Sequence, residues 1–293
     1  MFVDLAQISI PLRQQYLQHA IAPRPICFAS TVDAAGHVNL SPFSFFNMFS
    51  TTPPILIFSP ARRVRDGSIK HTLENVMEVP EVVINIVDAD MVQQVSLASC
   101  EYPRGVNEFV KAGFTPEPAR FVRPPMVSES KVRMECRVLE VKSLGSDPGA
   151  GNLVICEVLC MHISDAVLDD SGMIDQRRLR HVARLGGDWY AEISAANLFQ
   201  VLKPNTLLGI GIDALPLSIR HSSVLTGNDL GCLANVHSFP VIDPTFRDER
   251  LSSILLYFSI SPDEMEKELH IYAASLLRAG RVHEAWQVLL ASP

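Results

Sequence analysis

Between Pro23 and Thr72 the chain gathers the residue types that hold an anion. The runs PRPICFAST, NLSPFSFFN and FSPARRVRDGSIKHT place hydroxyls, amides and cations at the ends of three successive strand candidates. In the last of these, Arg62, Arg63, Arg65 and Lys70 crowd one loop. The chain is otherwise acidic, with 25 Lys and Arg against 32 Asp and Glu and a net charge of −7. A phosphate is held by a fixed cation, by hydroxyls and by the oriented N–H groups of a helix N-terminus. Lys70 and Thr72 stand where the helical run HTLENV begins, so they fit that task. A solvated basic loop, with Thr72 as an ordinary N-cap, is the plain alternative. Ser44-Phe45-Phe46-Asn47 alternates polar and aromatic side chains, so one face can line a pocket while the other enters the core. An aromatic ring beside amide and hydroxyl groups suits a flat heteroaromatic ligand, although most aromatic strands serve only the core.

The elements that must position these residues read as β from Ile26 to Val87. ICFASTV is a strand, Asp33-Ala34-Ala35-Gly36 a hairpin turn, and FSFFNMFS and ILIFS are strands parted by Thr52-Pro53-Pro54. HTLENVMEV has helical spacing, with Leu73, Val76 and Met77 on one face. VVINIV is a buried strand and MVQQVSLASCEY a second short helix. KVRMECRVLEVKSL and NLVICEVLCMHIS are two long strands joined by SDPGAG. Cys156 and Cys160, four apart, fall on one face of the latter and read as small buried hydrophobes, like Cys136. Hairpin-joined strands with brief helices point to a mainly β, closed antiparallel barrel. Regular strand–helix alternation is missing.

Over Ile21 to Tyr190 the chain resembles the flavin reductase-like family, the FMN-binding split barrels. The runs that carry the resemblance are APRPI, ASTVDAAGHVNLSPFSFFN, PPILIFSP, KHTLEN, VVINIV, GVNEF, AGF, ESKVRMECRV and RLRHVARLGGDWY. It implies a six-stranded Greek-key split barrel, a homodimer, and one FMN per protomer near the subunit interface. Carried over position by position, Ser30 and Thr31 touch the flavin or its ribityl chain. Ser44, Phe45 and Asn47 lie along the isoalloxazine edge, and Ser59, Arg62, Lys70 and Thr72 hold the phosphate. Arg24 and the Arg184–Tyr190 run are further motif positions. His71 stands where many relatives carry an acid between the lysine and the threonine. Hydride passing from NADH or NADPH to the flavin, and on to free flavin, iron or another small acceptor, is the implied activity. That chemistry belongs to the cofactor and calls for no nucleophile–base pair. His181 and Tyr190 are the candidates nearest a substrate. A flavin-binding or sensor protein without turnover, and an oxidase of the pyridoxamine-phosphate-oxidase type, are the alternatives.

The domain so read spans 1–192. The extension, 193–293, is turn-rich and mixed before it ends in a helical hairpin, EMEKELHIYAASLLRA and VHEAWQVLLAS, expected to pack on the barrel. Ser261 and Glu264 have capping-box spacing, with Pro262 at the first helical position. Gly209-Ile210-Gly211-Ile212-Asp213-Ala214 matches a dinucleotide fingerprint but lacks its strand–helix–strand unit, and Pro216 interrupts the helix that should come next. Gly227-Asn228-Asp229-Leu230-Gly231 reads as a plain turn. The polar set Arg220, His221, Thr226, Asn228 and Asp229 makes this extension a candidate for substrate selection.

Net acidity argues against a nucleic-acid backbone as partner. The longest apolar runs fall short of the roughly 20 residues that cross a bilayer, and the N-terminus lacks a secretory pattern. Six cysteines without a Cys-x-x-Cys pair, and no His at a zinc spacing, argue against a disulfide scaffold or a metal site. A reducing cytoplasm is the expected compartment.

Overall fold

The structure is a computed structural model and describes residues 1–201, 203 and 208–291. A few positions of the extension, 202, 204–207 and 292–293, lie outside the described residues. The chain divides into two compact units, Met1–Phe199 and Gln200–Pro293, a later division than the 192/193 boundary expected.

The sheet of the first unit has strands β1 (Cys27–Val32), β2 (Val38–Phe43), β3 (Phe46–Thr51), β4 (Pro54–Phe58), β5 (Glu81–Ile86), β6 (Val132–Ser143) and β7 (Asn152–Ile163). Their order is β2-β1-β5-β6-β7-β4-β3, with every neighbour antiparallel. Seven strands stand where the resemblance implies six: Val38–Phe43 forms a strand ahead of the FSFFNMFS run, and that run breaks at Ser44-Phe45. β2 ends at one edge of the sheet and β3 begins at the other, so two residues carry the chain across an unpaired gap, which is the split of the barrel. Pro42 is tolerated inside β2 because an edge strand has one side with no ladder to feed.

Alternation along β1 sends its side chains to two cores. Cys27 and Ala29 join Phe43, Phe58, Ile84 and Cys136 inside the barrel. Phe28 packs on the other face with Leu40, Phe109 and Phe114, under α3 (Val92–Leu97) and α4 (Glu108–Ala112). The long hairpin β6–β7 departs from simple alternation. The register shift between Ile155 and Cys156 leaves Leu139 of β6 as an extra residue, and the shift between Val158 and Cys160 does the same for Leu159 of β7. A bulge reverses the facing of the residues beyond it. Cys156 therefore stays in the barrel core, while Cys160 pairs with Glu135 on the opposite face, and the two do not share a face as the plain spacing predicts.

α2 (His71–Glu78) forms where expected, but turned about its axis: Thr72, Leu73, Asn75 and Val76 are buried and Met77 is 57% exposed. Two polar bonds set that turn, Asn75 Nδ2 donating to Thr31 Oγ1 at 3.1 Å and Asn39 Nδ2 to Thr72 Oγ1 at 2.8 Å. An N-terminal helix, α1 (Ile10–Ala20), was not legible, since none of its residues is buried to leave a hydrophobic stripe. A small sheet of Arg24–Pro25, Val182–Arg184 and Tyr190–Glu192 sets Arg24 opposite Arg184, and Arg184 opposite Tyr190.

The second unit is helical, which makes the whole chain mixed α/β rather than mainly β. Its helices are Leu217–Arg220, Gly227–Ala234, Glu249–Tyr257, Pro262–Arg278 and Val282–Leu290. They enclose a core of their own around Leu233, Leu269, Ala273, Trp286 and Val288. The hairpin of the last two helices forms as read, with Gly280 at φ 74° between them. Ser261 makes no side-chain cap, so the expected capping box is absent there. One forms instead at Thr226 and Asp229, where a turn was expected, and it opens the helix Gly227–Ala234. Thr226 and Asp229 are thereby committed to the fold, and Arg220 donates to the Asp213 carbonyl at 3.2 Å. Ile212–Ala214 within the fingerprint-like run is a short 3-10 turn.

Candidate functional site

The open edge of β2 borders two depressions. The first is a tight cleft of about 30 Å³ lined by Asn39, Ser41, Arg63, Lys70, Thr72 and Ser99, with Glu101 at its side. It lies at the start of α2, whose N-cap is Lys70 with extended backbone and no capping side chain. Lys70 Nζ sits 5.6 Å from the centroid of the Phe43 ring. Burial holds the Lys70 ammonium below its ordinary pKa, and Arg63 adds to this while Glu101 opposes it. Arg63 is fixed by Glu101 at 2.9 Å, by the Ser68 hydroxyl at 3.0 Å and by the Ile69 carbonyl at 2.8 Å. Two cations thus converge on a helix N-terminus. Glu101 pairs with Arg63, and no ion pair reaches Lys70 among the described residues. By charge and backbone orientation this arrangement can hold an anion.

The second depression, about 340 Å³, is lined by Ile26, Pro42, Ser44, Val95, Arg184 and Tyr190, and shares Ser99 with the first. The Arg184 guanidinium lies 4.5 Å over the Tyr190 ring. Across this edge, from Asn39 to Phe43, the strand rises about 13 Å at roughly 3.3 Å per residue. A ligand with an anionic tail and a flat head can lie along it, tail at Lys70 and head at Ser44 and Tyr190.

The residues singled out in the sequence fall into groups. Lys70 and Thr72 meet in the first depression, and Ser44 and Tyr190 in the second. Arg24, Phe45 and Arg62 line a separate cleft beside α1. Arg24 is buried and donates to the carbonyls of Gln18, Ile21 and Leu185 at 2.5, 2.6 and 2.8 Å, and more distantly to Ser44 Oγ at 3.5 Å. Ser30 and Thr31 are both fully buried and, as strand neighbours, point to opposite faces, so one ligand does not reach both from one side. Ser59 Oγ faces Gly151, where a Cβ would come within 2.7 Å. Asn47 is exposed on β3, its Oδ1 accepting from the Met48 N–H at 2.8 Å. His181 bridges to Asp88, lines none of these three depressions, and is held below its ordinary pKa by burial, Asp88 opposing.

Asn39, Ser41 and Ser99 were not singled out in the sequence, and Arg63 stood there only as one of the cations of the basic loop. Alternation places Asn39 and Ser41 on the same face as Phe43 and was the available signal for two of them. Nothing in the sequence distinguishes Arg63 from its neighbour Arg62, which turns to the other side. A further cluster also went unseen, Glu135, Cys160 and His162, whose ligand atoms lie within 4.8 Å of one another. Glu135 is fully buried and accepts from the backbone N–H groups of Arg120, Phe121 and Val122, with His162 Nε2 at 2.7 Å. Its oxygens are saturated, so it reads as a clasp on the 120–122 segment.

The sequence profile of the flavin reductase like domain matches residues 19–183. The chain belongs to that family. An uncharacterized protein of Aquifex aeolicus is 34% identical over 172 residues, 59% of this chain and 85% of the relative. Protein BH2278 of Halalkalibacterium halodurans is 37% identical over 175 residues, 59% of this chain and 83% of the relative. Among solved structures, nitrilotriacetate monooxygenase component B from Bacillus cereus aligns with a TM-score of 0.64 and 28% identity, over 69% of this chain and 98% of that one. A Shewanella frigidimarina protein with a split barrel domain aligns at 0.58 and 24% identity, over 68% and 96%, and supports the fold alone. These matches cover the barrel of the flavin reductase-like chain, about two-thirds of its length. No helix among the described residues is long and apolar enough to cross a membrane.

Proposed function

We propose that the chain is an FMN-dependent oxidoreductase that takes hydride from NADH or NADPH and passes electrons to a small acceptor. The reading rests on one observation: a half-buried lysine with no ion pair among the described residues, set at a helix N-terminus beside Arg63, opens onto a groove that ends at Ser44 and Tyr190. Those donors fit a phosphate tail and a flat ring. Lys70, Arg63, Thr72 and Ser41 would hold the phosphate, and Ser44, Tyr190 and the edge backbone of β2 would flank the ring. When bound, FMN supplies the hydride-accepting chemistry. The chain's own part is to fix the ring against the strand edge and to seal one side of it with Pro42 and Val95. Homodimerisation, with the second copy bordering the groove, belongs to the same proposal. Its support is apolar side chains left open on β3, Met48 at 64% and Phe49 at 63% exposure.

Titration of the full chain with FMN, tracked by flavin fluorescence, tests this. Saturable binding that Lys70→Ala weakens about tenfold to a hundredfold is expected, the effect of losing one charge-assisted contact. Absence of binding by the folded protein would refute the assignment. Binding without nicotinamide oxidation would leave a flavin protein and remove the reductase.

A further inference from the structure

The first unit has a further cavity besides the two depressions along β2. It is a cleft of about 520 Å³ between α1 and the loops 61–64 and 144–150. A volume of that size holds a small organic molecule. Its walls are apolar, built from Leu17, Ile21, Val64 and Leu144, and Phe45 offers a ring that is 41% exposed. Its charges are lopsided: Arg13, Arg24 and Arg62 against Asp147, an exposed residue of the 144–150 loop.

The three arginines differ in what occupies them. Arg13 donates to the carbonyls of Leu5 and Ile8, and Arg24 to three carbonyls and Ser44. Among the described residues the Arg62 guanidinium makes one hydrogen bond, from Nη1 to the Gly67 carbonyl at 3.1 Å. Its Nε is shut off from solvent and has no hydrogen-bond partner among the described residues. Its neighbours Arg63 and Arg65 share Glu101, while no carboxylate pairs with Arg62 among the described residues. A buried guanidinium N–H without an acceptor is costly, and a planar fork of donors is best matched by a carboxylate.

We propose that this cleft is a second ligand site, which takes a small organic carboxylate with an aromatic or aliphatic body. The carboxylate pairs with Arg62, and the body lies between Phe45 and the wall formed by Leu17, Val64 and Leu144. Through Arg24, which lines this cleft and reaches Ser44, the site adjoins the head end of the β2 groove without sharing Lys70 or Thr72.

The test uses 4-fluorobenzoate and its uncharged analogue 4-fluorobenzamide, observed by fluorine NMR with the full chain. Saturable binding of the acid at least tenfold tighter than the amide is expected. Arg62→Ala should weaken the acid by roughly tenfold to a hundredfold, leave the amide unchanged, and leave FMN affinity unchanged. Should Arg62→Ala fold poorly, Leu144→Trp fills the cleft from an exposed loop position and should block the acid equally. Equal binding of acid and amide, or Arg62→Ala and Leu144→Trp proteins that both bind the acid like the parent, would overturn the proposal. So would displacement of the acid by FMN, which would assign the cleft to the flavin. Failure of FMN to bind anywhere, with acid binding intact, would sink the flavin reading alone.

Discussion

Lys70 is the residue on which the flavin proposal turns, and its ionisation gives that proposal a pH signature. Burial, with Arg63 beside it, lowers its pKa from the ordinary lysine value of 10.5. Without ligand, the folded chain therefore releases this proton at lower pH than the unfolded chain does. Across that window the unfolded state binds more protons, so this group's contribution to stability rises with pH. A bound phosphate reverses the preference, because the charged amine is then paired. FMN affinity should fall with rising pH, beginning below the ordinary lysine range, and Lys70→Ala should abolish that alkaline limb; affinity measured against pH checks both. The thiols give a second prediction at this scale. Burial raises Cys27, Cys136 and Cys156, the last to about 12, and all three lie inside the barrel. Cys100 and Cys232 are exposed. A thiol-specific chromogenic reagent at neutral pH should react promptly with those two and reach the buried three only on unfolding.

Elements are held by polar clasps as much as by apolar packing. Glu135 on β6 gathers three backbone N–H groups of the 120–122 segment and His162 of β7. Burial pushes its carboxyl pKa up, yet the Arg120 and Phe121 N–H groups and His162 together outweigh that and leave it below the ordinary value. Its contribution to stability is thus present at neutral pH and is lost as pH falls through the lowered pKa. Glu135→Ala should destabilise the barrel by about 3–5 kcal/mol in urea unfolding, the scale for breaking a buried charged network. Much of the loss should fall on local protection of 120–122, read by amide hydrogen exchange. The bulge at Leu159 belongs to the same scale. It moves Cys160 and His162 onto the Glu135 face, which no spacing rule applied to an unbroken strand anticipates.

Each unit of the molecule carries buried apolar packing of its own, the first on both faces of its sheet and the second around Leu233, Leu269 and Trp286. That packing is a sufficient reason for each unit to fold by itself. A chain ended after Phe199 should retain FMN binding within about threefold of the full chain. The 200–293 piece should give a helical circular dichroism spectrum with its own cooperative melt. Calorimetry of the full chain should show two transitions, and a single transition lost as a whole on truncation would contradict separate cores. If truncation shifts acceptor preference while sparing FMN binding, substrate selection passes to the second unit.

Most strand identities, the 33–36 turn, the start of α2 and the final helical hairpin were legible because each rests on local rules: alternation, turn residues and helical spacing. The Lys70–Thr72 pair was legible for the same reason, since a cation and a hydroxyl at a helix start are neighbours in sequence. Tertiary structure alone decided the rest. Which of two adjacent arginines joins Lys70 depends on the path of a loop anchored by Ala150 and Ser68, far or near in sequence. The bulge, the rotation of α2 and the grouping of Arg24, Phe45 and Arg62 arise from long-range hydrogen bonds and packing. Local pattern fixes which way a side chain leaves its own strand or helix; only the meeting of distant segments fixes what it finds there.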